Sequence, residues 1–316
     1  MPTFPASVTL PRARHAGGRD ALPDRVPIVS RTTAFAASAC IAYRPLRGNR
    51  RRTVFVDAGH GGPDPGAVGT TSAGAVVDEK DVTLATARDL LAILRDAGYR
   101  VVLARTGDTP VARLAPADLC DGALTAAGEH RDIAARIACA NAAGANLLVS
   151  IHFDTFGDPT VGGAETLYDS ARPFSATNHR LATLAQQDIV ASLDAAGWAV
   201  PDRGAIDDTE GGTPALTREG ATYGRLLELG PAAPGWLDQP SAMPGVLCEP
   251  LFLSEPTEAD IAALVGGSGR SRVGWPVRST PSSHRERRQG HTPCPHLSST
   301  CHAHIMERSG RSPMIG

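Results

Sequence analysis

The sequence has no C-x-x-C pair among its six cysteines, which stand at positions 40, 120, 139, 248, 294 and 301. This absence excludes a zinc ribbon and a thioredoxin-type redox site, because both need closely spaced cysteine pairs. Cys120 and Cys139 are able to form a disulfide if the protein is exported, but the sequence does not establish that they lie within bonding distance. The alternative is that the cysteines are buried or free thiols.

Long apolar runs and a strong charge of either sign are also missing. The sequence contains no run of about 18 or more apolar residues, which excludes a membrane-spanning helix of ordinary composition. The formal net charge is −2, so there is no general electrostatic reason to expect nucleic-acid binding. What is present is typical of a globular protein: 316 residues, 42% of them hydrophobic and 20% charged, enough to form a sizeable core.

Residues 1–52 are rich in Arg and Pro and lack helix or strand periodicity outside residues 32–43. That exception, T-T-A-F-A-A-S-A-C-I-A-Y, follows an arginine and resembles the core of a short signal peptide, and A-S-A-C is similar to a lipoprotein cleavage site. We therefore expect a leader over residues 1–52, which is either an export signal or a disordered segment. A translation start assigned too far upstream would also produce an N-terminal segment of this kind.

Beyond the leader, the hydrophobic pattern alternates between strands and helices. It predicts strands at 54–56, 99–104, 146–151, 163–168, 226–229 and 245–253, and helices at 79–97, 129–143, 178–195 and 256–264. Strand-helix-strand units of this kind build parallel sheets. The sequence thus predicts an α/β fold, a single domain with a twisted, mostly parallel (mixed) sheet and helices on both faces.

Two histidines follow the ends of two predicted strands. His60 lies in a glycine-rich loop after the first strand, His152 follows the strand at 146–151, and Glu79 begins the first helix. Two histidines and one glutamate form a common ligand set for catalytic zinc, which leaves a fourth position open. The alternative is structural, since a strand-end histidine often makes ordinary hydrogen bonds and an acidic residue favours a helix N-terminus. Asp57 and Asp154 flank the histidines and are candidates to orient the imidazoles.

Four segments occur in a characteristic order. They are D-A-G-H-G-G-P-D-P-G-A-V-G at 57–69, E-K-D-V-T-L-A at 79–85, S-I-H-F-D at 150–154 and E-P-L-F-L-S at 249–254. In order and approximate spacing they resemble the zinc-dependent N-acetylmuramoyl-L-alanine amidases of the type 3 family, over residues 53–264. The resemblance implies a peptidoglycan hydrolase that cleaves the amide between the lactyl group of N-acetylmuramic acid and L-alanine.

The resemblance also assigns roles to individual residues. It implies that His60, Glu79 and His152 bind one Zn²⁺ ion and that Glu249 is the catalytic glutamate. Zinc would lower the pKa of its bound water and polarise the scissile carbonyl, and Glu249 would act as general base and then general acid. Glu228, in L-L-E-L-G, is the rival for the catalytic position, but the F-L-S after Glu249 fits the family pattern better.

The sequence departs from the family at its end. Pro250 follows Glu249, and residues 266–316 lack any periodicity, so we expect a catalytic domain over 53–265 and a disordered or aberrant tail over 266–316, as from a frameshift or truncation. Two other functions stay open: a zinc peptidase acting on another peptidoglycan amide, and an inactive relative that binds the wall. The presumed substrate implies a secreted, periplasmic or wall-associated protein, which we expect to be a monomer.

Overall fold

The computed structural model describes residues 25–27, 34–210 and 223–266. Its strands are β1 (Arg25–Pro27), β2 (Ala39–Tyr43), β3 (Thr53–Ala58), β4 (Val68–Thr70), β5 (Val76–Asp78), β6 (Arg100–Arg105), β7 (Leu119–Cys120), β8 (Ala123–Leu124), β9 (Leu147–Ile151), β10 (Ala164–Tyr168), β11 (Asp202–Asp207) and β12 (Gly245–Glu249). Its α-helices are α1 (Glu79–Asp96), α2 (Ala126–Ala142), α3 (Ser175–Ala195) and α4 (Pro256–Gly266).

Eight of these strands form one mixed sheet in the order β1-β2-β6-β3-β9-β12-β10-β11. The four central strands β6, β3, β9 and β12 are mutually parallel. At one side β2 pairs antiparallel with β6 and β1 pairs antiparallel with β2, and at the other side β10 pairs antiparallel with β12. The predicted mostly parallel α/β sheet is confirmed, and the carboxyl ends of β3, β9 and β12 meet at one edge.

Helices cover both faces of the sheet, as predicted. Side chains of α1, α3 and α4 share one apolar core with Val54, Val56 and Ile151, which point to the same face of β3 and β9. Alternate residues such as Phe55 and Leu148 point to the other face and pack with α2. Because both faces are covered, the central strands are nearly continuous apolar runs.

The helix boundaries follow local capping signals. α1 begins with the acidic residues Glu79 and Asp81 in its first turn, and Gly98, with φ +90°, ends it as expected. α2 begins three residues before the predicted start, because the Thr125 side chain accepts a hydrogen bond from the backbone N–H of Gly128.

Several expectations about strands are wrong. Residues 39–43, interpreted as part of a signal-peptide core, form β2, which is buried throughout and pairs with β6. Residues 226–229 form a turn rather than a strand, whereas β11 was not predicted. The last strand ends at Glu249 instead of residue 253, since Pro250 has no N–H to donate to a neighbouring strand.

A disulfide joins Cys40 of β2 to Cys139 of α2. The pair considered from the sequence, Cys120 with Cys139, is therefore not formed. Both bonded cysteines are buried, Cys40 at 2% exposure and Cys139 at 0%. The bond links β2, which lies within the segment expected to be a leader, to α2, and its two cysteines are 99 positions apart in the sequence.

Within the described ranges, no helix is both long and apolar enough to traverse a lipid bilayer. Most of the leader expected over residues 1–52 lies outside the described residues, as does the tail expected over 266–316 from residue 267 onward.

Candidate metal and catalytic site

The sequence-predicted zinc ligands come together at the carboxyl edge of the sheet. His60 Nε2 lies 3.0 Å from Glu79 Oε1 and 3.0 Å from His152 Nδ1, and His152 Nδ1 lies 3.0 Å from Glu79 Oε1. Three potential ligand atoms thus form a nearly equilateral triangle. Among the described residues this is the one group of three or more such side chains that is able to hold a metal ion.

His60 is held by an unusual backbone conformation and by a carboxylate. It follows β3 with φ +60°, a left-handed conformation that few residues other than glycine adopt. Its Nδ1 makes a 2.8 Å hydrogen bond with Asp64 Oδ2. A proton on Nδ1 that is donated to Asp64 leaves the lone pair on Nε2, which faces the other two ligand atoms.

Glu79 is the first residue of α1 and is only 3% exposed. Its Oε2 accepts a 2.7 Å hydrogen bond from the backbone N–H of Ala67, and its Oε1 accepts a 2.9 Å hydrogen bond from the N–H of Phe153. The carboxylate is therefore fixed by backbone donors on two loops, one before α1 and one after β9. It is much more constrained than an exposed acidic residue at a helix N-terminus.

His152 lies one residue beyond β9, and its ring packs against the backbone at Gly59. A Cβ atom added to Gly59 would lie 2.4 Å from His152 Cε1, and one added to Gly66 would lie 2.5 Å from Glu79 Oε2. Both distances are shorter than any real contact, so the three ligand side chains need glycine at both positions. This explains part of the glycine richness of residues 57–69.

The electrostatics of the cluster favour a positive charge at its centre. Burial alone would lower the pKa of His60, but the carboxylates of Glu79 and Asp64 raise it to about 10. Burial would raise the pKa of Glu79, yet the two histidines hold it well below its usual range. A proton or a metal cation would supply that charge.

Zinc fits this donor set. Tetrahedral zinc with ligand distances near 2.0–2.1 Å places neighbouring ligand atoms roughly 3.3 Å apart, close to the observed triangle. Two imidazole nitrogens and one carboxylate oxygen are the ligand types that zinc prefers, and the hydrogen bond from His60 to Asp64 is the outer contact that metal-binding histidines usually make.

Glu249 lies beside this cluster, at the end of β12. The parallel register pairs Cys248 with Ile151, and the backbone N–H of His152 donates to the carbonyl of Cys248. Glu249 Oε2 is buried and has no hydrogen-bond partner within the described part of the chain. Burial raises the pKa of Glu249 well above its usual range, and the nearby carboxylates of Asp154, Glu79 and Glu165 add to the increase.

Glu228 occupies a different environment. It is buried in a turn, where its side chain interacts with Ser150, Asp57 and Arg136. Burial and the charge of Asp57 raise the pKa of Glu228 well above its usual range. Glu249 follows Cys248, whose carbonyl accepts from the His152 N–H, and lies near Glu79, whereas Glu228 lies against Ser150 and Asp57.

Sequence reasoning missed three residues that support the cluster. The carboxylate that hydrogen-bonds to an imidazole is that of Asp64, not that of Asp57 or Asp154. Its position in the glycine-rich motif, four residues after His60, was the sequence feature that could have predicted this contact. Asp57 instead forms a 2.6 Å ion pair with Arg136. Arg105 and Arg136 are buried and donate hydrogen bonds to the loop that carries His60, and no local pattern pointed to either.

Comparison with known proteins identifies the family of this architecture. A family model described as N-acetylmuramoyl-L-alanine amidase matches residues 54–264, more than half of the chain. The N-acetylmuramoyl-L-alanine amidase AmiA of Salmonella typhimurium is 37% identical over 122 residues, which are 39% of this chain and 34% of that protein. The N-acetylmuramoyl-L-alanine amidase AmiC of Neisseria meningitidis serogroup B is 29% identical over 226 residues, which are 67% of this chain and 48% of that protein.

The chain therefore spans between a third and a half of the length of these curated relatives. Among solved structures, an N-acetylmuramoyl-L-alanine amidase from Clostridium difficile 630 is 27% identical, covers 67% of this chain and 85% of its own, and has a TM-score of 0.45. The match of the family model over residues 54–264 spans the sheet from β3 to β12 together with all three candidate metal ligands and Glu249. The chain belongs to the N-acetylmuramoyl-L-alanine amidase family.

Proposed function

We propose that this protein is a monozinc peptidoglycan hydrolase that cleaves the amide between the lactyl group of N-acetylmuramic acid and L-alanine. Family membership supports the reaction class. The observation that carries the proposal is the triangle of His60 Nε2, Glu79 Oε1 and His152 Nδ1, with each side 3.0 Å. These three residues would hold the ion, and the substrate would be peptidoglycan or a muropeptide released from it.

A bound zinc ion supplies Lewis acidity toward a carbonyl oxygen and toward water. The protein residues handle the protons. Glu249 would accept a proton from the attacking water and return it to the departing alanine nitrogen, which is too basic to leave as an anion. Its free, buried Oε2 and its place beside the strand that leads to His152 support this role.

The three ligands would have distinct supporting contacts. Asp64 would hold the His60 ring in the tautomer that leaves Nε2 unprotonated, through the 2.8 Å hydrogen bond to Nδ1. The backbone N–H groups of Ala67 and Phe153 would keep the Glu79 carboxylate in one orientation. The ligand set would thus be largely preorganised before the ion binds.

The proposed substrate lies outside the cytoplasmic membrane, and we propose that the protein acts there. The Cys40–Cys139 disulfide supports this location, because disulfides persist mainly in oxidising compartments outside the cytosol.

The proposal is tested by incubating the protein with muramyl dipeptide, with added zinc and with a chelator, and identifying the products by mass spectrometry. We expect L-Ala-D-isoGln with zinc and no product after chelation. Release of D-isoglutamine together with MurNAc-L-Ala would instead indicate a peptidase that cleaves the bond after alanine. An intact substrate in the presence of a zinc-loaded protein would overturn the amidase proposal and favour an inactive, wall-binding relative.

A further inference from the structure

Two buried arginines face the loop that carries His60. Arg105 is the last residue of β6 and is 0% exposed, and Arg136 lies on α2 and is 3% exposed. Charged side chains are rarely buried to this degree without a partner that requires them. The hydrogen bonds of the two guanidinium groups identify their partners, which are mostly backbone carbonyls close to the candidate metal ligands.

Arg136 contacts the loop at two carbonyls. Its Nη1 donates to the carbonyl of Ala58 at 2.8 Å, and its Nη2 donates to the carbonyl of His60 at 2.8 Å. The same guanidinium donates to Asp57 Oδ1 at 2.6 Å and to Asp132 Oδ2 at 2.7 Å. The two carboxylates balance the buried charge, so the arginine is fixed and presents a rigid pair of donors to the loop.

Arg105 contacts the same loop and also reaches α1. Its Nε donates to the carbonyl of Ala58 at 2.9 Å, and its Nη2 donates to the carbonyls of Gly59 at 2.9 Å and Lys80 at 2.6 Å. Thr83 Oγ1 donates to the Gly59 carbonyl at 2.9 Å as well. One guanidinium therefore ties the loop before His60 to the first turn of the helix that begins with Glu79.

Together, the two arginines satisfy the carbonyls of three consecutive residues, Ala58, Gly59 and His60. His60, the last of these residues, has a left-handed backbone, and this conformation directs its ring at Glu79. Such a conformation in a residue other than glycine persists only when the surrounding structure enforces it. The hydrogen bonds that both arginines donate to the Ala58 carbonyl, and the one that Arg105 donates to the Lys80 carbonyl, supply that constraint.

We propose that Arg105 and Arg136 form an arginine clamp that positions His60 and Glu79 for zinc. The inference rests on the proposed zinc site and adds to it two positioning residues that touch neither the ion nor the substrate. The clamp sets the separation between the His60 loop and the N-terminus of α1. Loosening it should lower zinc affinity before it unfolds the protein.

Arg172 offers a matched control. It is also buried, at 8% exposure, and also donates to backbone carbonyls, those of Leu229, Gly230 and Ser241. None of these carbonyls belongs to the His60 loop or to α1. A substitution at Arg172 therefore removes the same kind of buried contact without disturbing a ligand.

The test compares Arg105→Lys, Arg136→Lys and Arg172→Lys in the full chain. Zinc dissociation constants are measured by competition with a chromogenic chelator, and the melting temperature of each zinc-free protein is measured beside them. Because lysine keeps the charge but lacks the rigid, planar fork of five N–H donors that arginine has, we expect the two clamp variants to bind zinc about 10–100-fold more weakly. The Arg172 variant should lose thermal stability but keep the wild-type zinc affinity.

A second pair of variants tests the same loop without replacing a buried charged side chain. Thr83→Val removes the hydroxyl that donates to Gly59, whereas Thr86→Val removes a hydroxyl that donates to Val82 within the same helix. We expect weaker zinc binding only for Thr83→Val. Equal zinc affinities across the clamp and control variants would overturn the clamp while leaving the zinc site intact. A wild-type protein that binds no zinc would overturn the proposed function and the clamp with it.

Discussion

At the scale of single residues, similar side chains have different roles because their surroundings differ. Glu79 accepts two backbone hydrogen bonds and faces two histidines, so it is an ionised ligand candidate. Glu249 is half-buried beside the carboxylates of Asp154 and Glu79, which together with burial raise its pKa, and its proposed role is to gain and lose a proton. Glu228 is buried against Asp57 and Ser150, which raises its pKa, and its Oε1 has no hydrogen-bond partner in the described part of the chain. The three glutamates are thus separated by environment and not by local sequence.

This separation predicts opposite results for two glutamine substitutions. Glu249→Gln keeps the shape of the side chain but cannot accept a proton, so kcat for muramyl dipeptide should fall about 10²–10⁴-fold while zinc affinity is unchanged. Glu228 interacts with Ser150, Asp57 and Arg136 and with no candidate metal ligand, so Glu228→Gln, which keeps the side-chain shape, should leave kcat close to that of the wild type. Full activity of Glu249→Gln, measured by steady-state release of L-Ala-D-isoGln, would remove Glu249 from the mechanism.

Close packing at Gly59 predicts a second residue-scale effect. A methyl group on Gly59 would collide with the His152 ring, whereas one on Gly107 would meet no atom within 4 Å, and neither glycine has a positive φ. We expect Gly59→Ala to weaken zinc binding about tenfold or more and Gly107→Ala to bind zinc normally. Zinc titrations of the two variants compare them directly, and equal affinities would contradict the described packing of His152.

The sequence allowed the candidate ligands to be predicted, because each stands at the end of a strand or at the start of a helix within a distinctive motif. It did not reveal their supporting contacts. Arg136 lies 76 residues from His60 and Arg105 lies 46 residues from Gly59, and a buried arginine on a helix or strand looks like a surface one in a single sequence. Such contacts arise only from tertiary packing.

At the scale of elements, charged side chains cluster at the edge of the sheet where the strands end. β10 and β11 run parallel and finish close together, at Tyr168 and Asp207. Beyond them Arg225 bridges Asp169 and Asp208, with Oδ atoms at 3.1 Å from its Nη1 in both cases. Burial and the charge of Asp169 raise the pKa of Asp208 to about 7.

This raised pKa predicts the direction of a pH effect on stability. An unfolded aspartate titrates near about 3.9, so between roughly pH 4 and pH 7 the folded protein holds a proton on Asp208 that the unfolded chain has lost. The contribution of Asp208 to stability is therefore greatest below that range and declines as the pH rises through it. Relative to Asp208→Asn, the melting temperature of the wild type should fall from pH 4 to pH 7. An exposed control, Asp188→Asn, should show no such trend, and a parallel course for all three proteins would contradict the assigned environment.

The strands and helices with the clearest local sequence patterns were predicted most closely. α1 and the strands β3, β6, β9 and β10 have strong periodicity and clear ends, and they were predicted closely. β2 is a short apolar segment after a basic stretch, a pattern that a signal peptide shares, and only its pairing with β6 distinguishes them. β11, D-R-G-A-I-D, lies at the edge of the sheet and has no fully buried residue, so it lacks the apolar run of a buried strand.

At the scale of the whole molecule, the Cys40–Cys139 disulfide connects β2 to a helix on the face opposite α1. It closes a long loop, because the two cysteines are separated by 99 positions in the sequence. Cross-links over loops of this length reduce the entropy of the unfolded chain strongly. The disulfide therefore contributes to global stability and not directly to the zinc cluster.

Replacing both cysteines by alanine should lower the free energy of unfolding by about 2–5 kcal/mol. Activity at low temperature should persist, because neither cysteine contacts the cluster. Cys248→Ala, which removes a buried free thiol, controls for the loss of side-chain volume. Chemical denaturation of the three proteins gives the comparison. If the double variant is no less stable than Cys248→Ala, the disulfide has no global role.

The most direct test of the central claim is a zinc titration of the metal-free protein followed by hydrolysis of muramyl dipeptide. We predict that release of L-Ala-D-isoGln rises in proportion to added zinc and stops rising at one equivalent per chain, and that His152→Ala shows no such rise. Undiminished hydrolysis by the chelator-treated protein, or a zinc-saturated protein that leaves the substrate intact, would contradict a single catalytic zinc held by His60, Glu79 and His152.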